Sequence, residues 1–407
     1  MTNHGFGNFL SSEAVDNSLP KHQNSPQHLP EGLFAEQING TAFSKARHQN
    51  LFTWVYRLQP SAALHHRPYR LSAYQIQEPL CADLAPNPLR WGCIDTPATT
   101  LQHMATSGKD KHFYILNLKQ DLAHQYFINH DADCLILPYA GTALVKTELG
   151  HLTISAQELC VIPRGIAFTL VLNSTDFKAY VLENAGQAFH LPELGIIGAN
   201  GLANPRHFIY PDACYDQETH PGTLYAKFQG KIWEKPIERS IFNVVAWQGK
   251  YAPYTYDLNL FNTINTVSFD HVDPSIFTVL SSDSTIAGVA SLDLVIFPKR
   301  WMVAVDTFRL PYFHRNVMSE LMGLIQGQYD AKKAGFEHGG FSIHNQMVAH
   351  GPDYASWQQE IKRHDAPVYI DNTLAFMFES NEIWHPSLAA MQRKERDHLY
   401  GHIWHGF

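Results

Sequence analysis

The sequence predicts a mainly β fold of two jelly-roll barrels (double-stranded β-helices) with short helices. Three observations carry this expectation. Short runs rich in Val, Ile, Phe, Tyr and Thr recur between Gly, Pro and Asn punctuation, as in strands joined by turns. Long stretches with helical periodicity are scarce. The strand-like runs also fall into two blocks, one over residues 131–184 and another from about Leu260 onward. With 407 residues and 45% hydrophobic content, the chain has room for two or three domains and a sizeable core.

The first block reads, in order, Cys-Leu-Ile-Leu-Pro, Thr-Ala-Leu-Val-Lys-Thr-Glu, a turn at Gly150, His-Leu-Thr-Ile, Glu-Leu-Cys-Val-Ile and Phe-Thr-Leu-Val-Leu. This succession, with its Pro163-Arg164-Gly165 corner, resembles the barrel of the cupin superfamily. In metal-binding cupins a histidine follows that corner and an earlier strand supplies a His-x-His pair. Here Phe168 follows instead and no such pair occurs, so the first barrel is expected to be scaffold rather than metal site. Strand candidates in the second block are Thr266–His271, Ser275–Leu280, Leu292–Phe297 and Leu321–Tyr329. Short helices are expected over Tyr354–Arg363 and Leu388–Tyr400, where charged and apolar residues mix at helical spacing. The division expected is a metal-free N-terminal domain over 1–259 and a site-bearing C-terminal domain over 260–407. No low-complexity linker separates them, which predicts two units packed against each other.

Composition narrows the function. A formal charge of −8 and the absence of any Lys/Arg-rich run argue against nucleic acid, because phosphate binding needs a concentrated basic face. No apolar segment opens the chain and none reaches the ~20 residues that span a bilayer, so no membrane partner is expected and the cytoplasm is the expected compartment. Five cysteines, Cys81, Cys93, Cys134, Cys160 and Cys214, are scattered without a Cys-x-x-Cys pair and are expected to be reduced and structural. A small molecule is the expected partner. The 24 histidines stand out, since imidazole is the commonest ligand for borderline metals.

The densest group of such ligands lies between His314 and His350. Two histidines and a carboxylate are the set that holds non-haem Fe(II) on one face and leaves the other open, which points to His314, Glu320 and His350. On one straight strand His314 and Glu320 would stand roughly 20 Å apart at ~3.3 Å per residue. The pair can share an ion only if the chain reverses between them, and Asn316 tolerates turn conformations. His350 would arrive from a third segment, after the Gly335–Gly340 turn region and just ahead of Gly351-Pro352. Singly, either histidine is more commonly a core or surface residue than a ligand, and spacing leaves both readings open.

Longer motifs add a resemblance. Gly-Phe-Gly-Asn at 5–8, Gln-Asn-Ser-Pro-Gln at 23–27, Gly-Thr-Ala-Phe at 40–43 and Asn-Gly-Leu-Ala-Asn-Pro-Arg at 200–206 open the series. Phe-Asn-Val-Val-Ala-Trp-Gln-Gly at 242–249, Pro-Tyr-Thr-Tyr-Asp-Leu at 253–258 and Val-Ser-Phe-Asp-His-Val-Asp-Pro-Ser-Ile-Phe-Thr-Val-Leu at 267–280 continue it. Phe-His-Arg-Asn-Val-Met-Ser-Glu-Leu-Met-Gly-Leu-Ile from 313 and Ala-Phe-Met-Phe-Glu at 375–379 complete it. Together they resemble the homogentisate 1,2-dioxygenase family over nearly the whole chain. The resemblance implies Fe(II) held by His314, Glu320 and His350, with His271 as the acid/base that takes a proton from a ring hydroxyl. It further implies that Tyr329, His344 and His350 contact the substrate homogentisate, which O2 opens to maleylacetoacetate in tyrosine and phenylalanine breakdown, and that the chain forms a homohexamer.

Several positions depart from the family pattern: Leu310, Lys299, Phe341 and a short Trp54–His124 region. Phe341, where glycine is common, is expected to narrow the pocket near His344. Two other readings stay in view. A related cupin dioxygenase acting on a hydroquinone such as gentisate would differ in the compound that drives oxygen uptake. A non-catalytic bicupin binding protein would hold no tight iron.

Overall fold

Six strands between residues 133 and 184 divide equally between two sheets. Asp133–Ala140, Glu158–Ile162 and Phe177–Asn184 join a nine-stranded sheet, while Thr142–Thr147, Gly150–Ser155 and Ala167–Leu172 join a seven-stranded one. In this computed structural model, residues 3–20, 29, 32–98, 100–198, 202–218, 220–264, 274–332, 334–364 and 366–407 are described. Five of the six match runs marked in the sequence, and Phe177–Asn184, buried along most of its length, is a strand in addition to them. In Thr142–Thr147 every second residue, Ala143, Val145 and Thr147, is buried, the two-residue period of a strand with one face on a core. The result is the jelly-roll barrel expected of the first block.

The second barrel is built on a six-stranded sheet in the order Thr278–Asp283, Ala290–Phe297, Thr373–Ser380, Ser319–Gly327, Phe341–His344 and Leu89–Trp91. A two-stranded ribbon, Arg300–Met302 with Val368–Ile370, stands beside it. The barrels trade strands. Leu89–Trp91, early in the chain, pairs with Phe341–Ile343 of the second barrel, and Trp384–Pro386, late in the chain, pairs with Ala105–Ser107 of the first. One continuous core follows, in which Trp91 stacks on Phe341 at 4.7 Å and Tyr180 packs on Phe376 at 4.7 Å. The Tyr180 hydroxyl, fully buried, donates to Leu324 O and Gly340 O. Burial of each such side chain contributes roughly 1.5–3 kcal/mol, so the two halves stabilise one another.

Two expected elements differ. The Ser275–Leu280 run opens as a 3-10 turn, Pro274–Phe277, and becomes strand only at Thr278. The helix expected over Leu388–Tyr400 is a single turn, Leu388–Met391, followed later by a 3-10 turn, Tyr400–Trp404. Between them the backbone is spent elsewhere: Gly92 N donates to Glu395 O (2.9 Å) and Asp397 N to Arg90 O (2.9 Å), bonds incompatible with a continuing helix. Helix Tyr354–Glu360 forms as expected, capped by Asp353 accepting from Ser356 N. All five cysteines are unpaired, Cys134 and Cys160 buried. The Thr266–His271 strand candidate, and His271 with it, lie outside the described residues.

Candidate metal centre

Three segments deliver the three donors. Glu320 is the second residue of the Ser319–Gly327 strand, and with Met322 it lines the cavity of the second barrel. His314 and His350 sit on two extended segments bonded to each other through their own main chains, His314 N to His350 O (3.0 Å) and His350 N to His314 O (3.1 Å). The six residues from His314 to Glu320 are spent on a reversal, in which Asn316 Oδ1 accepts from Met318 N at 3.0 Å. Gly351 permits the close approach of these segments, because a Cβ there would lie 2.4 Å from the Phe313 ring.

The donor atoms of His314, Glu320 and His350 all lie within 4.8 Å of one another. His314 Nε2 is 3.3 Å from Glu320 Oε1, and His350 Nε2 is 3.0 Å from Glu320 Oε2. Each imidazole spends its Nδ1–H on a backbone carbonyl, Tyr312 O at 2.8 Å for His314 and Val348 O at 2.9 Å for His350. With Nδ1 committed in this way, each ring has its Nε2 left to face the shared point, the orientation a metal ligand needs. Two nitrogens and one carboxylate from separate segments therefore suit a divalent metal with positions left open.

Register sets the surroundings. Asp293, Glu379, Glu320 and His344 are successive cross-strand partners on four adjacent strands, and all four line the cavity, which holds about 460 Å3. Like charges side by side are unfavourable, and the titrations reflect it. Burial alone would raise the Glu320 carboxyl, but hydrogen bonds from His314 and His350 outweigh it and hold the group well below the usual carboxylate range. Burial would lower His314, yet its bond to Glu320 prevails and raises it. Glu379 is pushed up to about 7 by burial, against a bond from Asn316 and with help from Glu320 and Asp293. Burial also brings Lys332 down to about 7, opposed by Asp353.

The other candidates fall into place unequally. Tyr329 is buried in the cavity wall, edge-on to Phe297 and Phe336, and burial keeps its phenol protonated. His344 lies stacked on His350 at 4.3 Å, with Nε2 bonded to Tyr400 Oη at 2.8 Å and Nδ1 buried without a partner among the described residues. Burial lowers it well below the usual histidine range. Phe341 does not narrow the pocket. Its strand alternates, so while His344 opposes Glu320, Phe341 opposes Gly323 and is stacked on Trp91 in the core.

The pattern described as homogentisate 1,2-dioxygenase N-terminal matches residues 1–258, and that described as homogentisate 1,2-dioxygenase C-terminal matches residues 259–407. The chain belongs to the homogentisate 1,2-dioxygenase family. A homogentisate 1,2-dioxygenase of Legionella pneumophila is 49% identical over 99% of this chain and 98% of its own. Those of Pseudomonas fluorescens and Pseudomonas putida are 45% and 46% identical over 98% of this chain, covering 95% and 94% of their own lengths. A likeness to oxalate decarboxylase of Bacillus subtilis, with a TM-score of 0.33 and 12% identity over 75% of this chain and 80% of that one, is too distant to carry an argument.

Sequence reasoning in this homogentisate 1,2-dioxygenase family member passed over Glu379, Lys332 and Tyr400, and it saw in Asn316 only a turn residue. Glu379 did leave a signal. It closes an apolar strand at the same parity as Met377, and both face the cavity.

Proposed function

We propose that this chain carries out the reaction for which its relatives are named: cleavage of the homogentisate ring by O2, with Fe(II) held by His314, Glu320 and His350. The observation that supports it most is the convergence of those donors, Nε2 atoms inward, at a cavity with Tyr329 and His344 in its wall. Fe(II), when bound, would supply the one-electron chemistry that lets triplet O2 react with a closed-shell phenol.

The protein's own residues do the rest. Arg300, Arg309 and Lys332 line the cavity among its carboxylates, giving it cationic donors for a substrate that carries a carboxylate. Tyr329, protonated and held by its aromatic neighbours, donates to the acetate side chain. His271, at the position the family resemblance marks as acid/base, takes the proton of the ring hydroxyl next to the acetate-bearing carbon. His350 and the neutral His344, stacked on it, press against the bound ring. The bond between those two ring carbons breaks, both oxygen atoms enter the product, and maleylacetoacetate leaves. Residues 1–259 serve as scaffold and 260–407 bear the iron. The assembly is a homohexamer acting in the cytoplasm; among the described residues no helix is long and apolar enough to cross a membrane.

The test is to prepare the protein without oxygen, add Fe(II), and follow the absorbance of ring-opened product with homogentisate and with gentisate. Turnover of homogentisate is expected, strongly reduced in His271→Ala; turnover of gentisate alone would favour the related hydroquinone reading. Light scattering reads the assembly, and a monomer would refute the hexamer.

A further inference from the structure

Asn316 makes three contacts with one amide. Its Oδ1 accepts from Met318 N at 3.0 Å, which fixes the orientation of the group. Its Nδ2 then donates to Glu320 Oε1 at 3.3 Å and to Glu379 Oε1 at 2.5 Å. Glu379 is the direct cross-strand partner of Glu320 and lines the same cavity, so its carboxylate stands next to the centre as a second acidic side chain, outside the trio whose donor atoms converge. A divalent ion with three protein ligands keeps positions for reactants, whereas a second carboxylate, as fourth ligand, would occupy one of them.

We infer that Asn316 is a positioning residue that holds Glu379 out of the metal's coordination sphere and engages one oxygen of Glu320, so that the face toward the cavity stays open. This rests on the reading of His314, Glu320 and His350 as ligands. One nitrogen can do both because the two carboxylates are adjacent on neighbouring strands and the amide enters from the reversal that also delivers His314. A main-chain bond from Met347 N to Asn316 O, 2.7 Å, anchors that reversal from the segment leading to His350. The amide is therefore tied to the approach of both histidines. The physical consequence is unusual for a residue beside a metal: removing it leaves the metal held and the open positions lost.

The experiment uses the full-length protein loaded anaerobically with Fe(II). Asn316→Ala, and Asn316→Ser, whose hydroxyl can still accept from Met318 N, are compared with the double variants that add Glu379→Gln. In the single variants kcat is expected to fall about 10–100-fold, while Fe(II) competes against a chelator at least as well as in the parent. Nitric oxide, read by electron paramagnetic resonance of its Fe(II) adduct, is expected to bind poorly to them. Glu379→Gln added to either variant restores the nitric oxide signal and part of kcat, and alone it binds Fe(II) and nitric oxide as the parent does.

Loss of Fe(II) affinity in Asn316→Ser without recovery on adding Glu379→Gln would overturn the inference, as would an unchanged nitric oxide signal in the single variants. Failure of the ligand reading itself would appear differently, as full Fe(II) binding by His314→Ala, Glu320→Ala and His350→Ala.

Discussion

Each barrel contains a cavity, of about 360 Å3 in the first and about 460 Å3 in the second, and the two are lined by different chemistry. Ile136, Phe168, Leu170 and Val181 dominate the wall of the first. The first barrel does bury charge, but in a network where each group is paired: Glu183 accepts from Tyr114 Oη (2.7 Å), Asn129 Nδ2 (2.7 Å) and Lys227 Nζ. In the second, Asp293, Glu379 and Glu320 stand in a row and His344 Nδ1 has no partner among the described residues. A buried charge with its counter-charge beside it is structure, while three carboxylates in a row mark a place that a cation would complete. One architecture thus holds both, and inward-facing side chains alone separate scaffold from site.

The sharpest way to break that comparison is to damage each network. Glu320→Ala is expected to abolish turnover, by ~1,000-fold or more, since a metal supplies several kcal/mol of stabilisation to the reaction. Lys227→Met should instead leave kcat per folded molecule intact and cost about 3–5 kcal/mol in urea unfolding, because Glu183 is left buried and unpaired. An exchange of these two outcomes would refute the division. Phe341→Ala comes next, at about 3–5 kcal/mol of stability, with the KM for homogentisate unchanged, because the ring packs on Trp91 and faces away from the cavity. A changed KM would return Phe341 to the pocket.

Gly351→Ala places a Cβ against Phe313 and parts the His314 and His350 segments. Fe(II) affinity measured by calorimetry is expected to drop about 10–100-fold while circular dichroism stays that of the parent. The smallest effect is on pH. Burial and neighbouring His112 hold His103 down to about 4, and burial and Lys227 do the same for His112. An unfolded histidine takes its proton near 6.5. Between about 6.5 and 4 the unfolded chain therefore binds more protons, and stability falls as pH falls through that window, by about 1 kcal/mol per histidine at pH 5.5. In the second barrel one histidine has the opposite sign. His314, raised by its bond to Glu320, contributes stability below 6.5 and loses it as pH rises through its raised value. Replacing His103 and His112 by Gln should flatten the acid slope; an unchanged slope would place its origin elsewhere.

The first barrel was largely legible because its strands are apolar runs, two of them alternating cleanly, and its turns carry Gly and Pro, as between Thr147 and Gly150. Legibility failed where long-range main-chain bonds outbid local propensity. The 393–397 stretch mixes charged residues at helical spacing, yet it forms a turn and a single bridge bonded to Arg90 and Gly92, more than 300 residues earlier. The site was partly readable. His314, Glu320 and His350 are of the right type, and Asn316 signalled a reversal. Nothing local joins Asn316 to Glu379, since they meet only through the register of two strands 60 residues apart in sequence.

Sequence by itself determined the mainly β character, many of the turn positions and a short list of candidate donor residues, because each depends on side-chain period and type within a few residues. Tertiary structure decided which way Phe341 faces, which carboxylate stands beside Glu320, and which strands cross between barrels. Those outcomes depend on strand register and on closing loops of tens to hundreds of residues. A one-residue slip of register would turn every inward side chain out, and no local pattern specifies its partner strand.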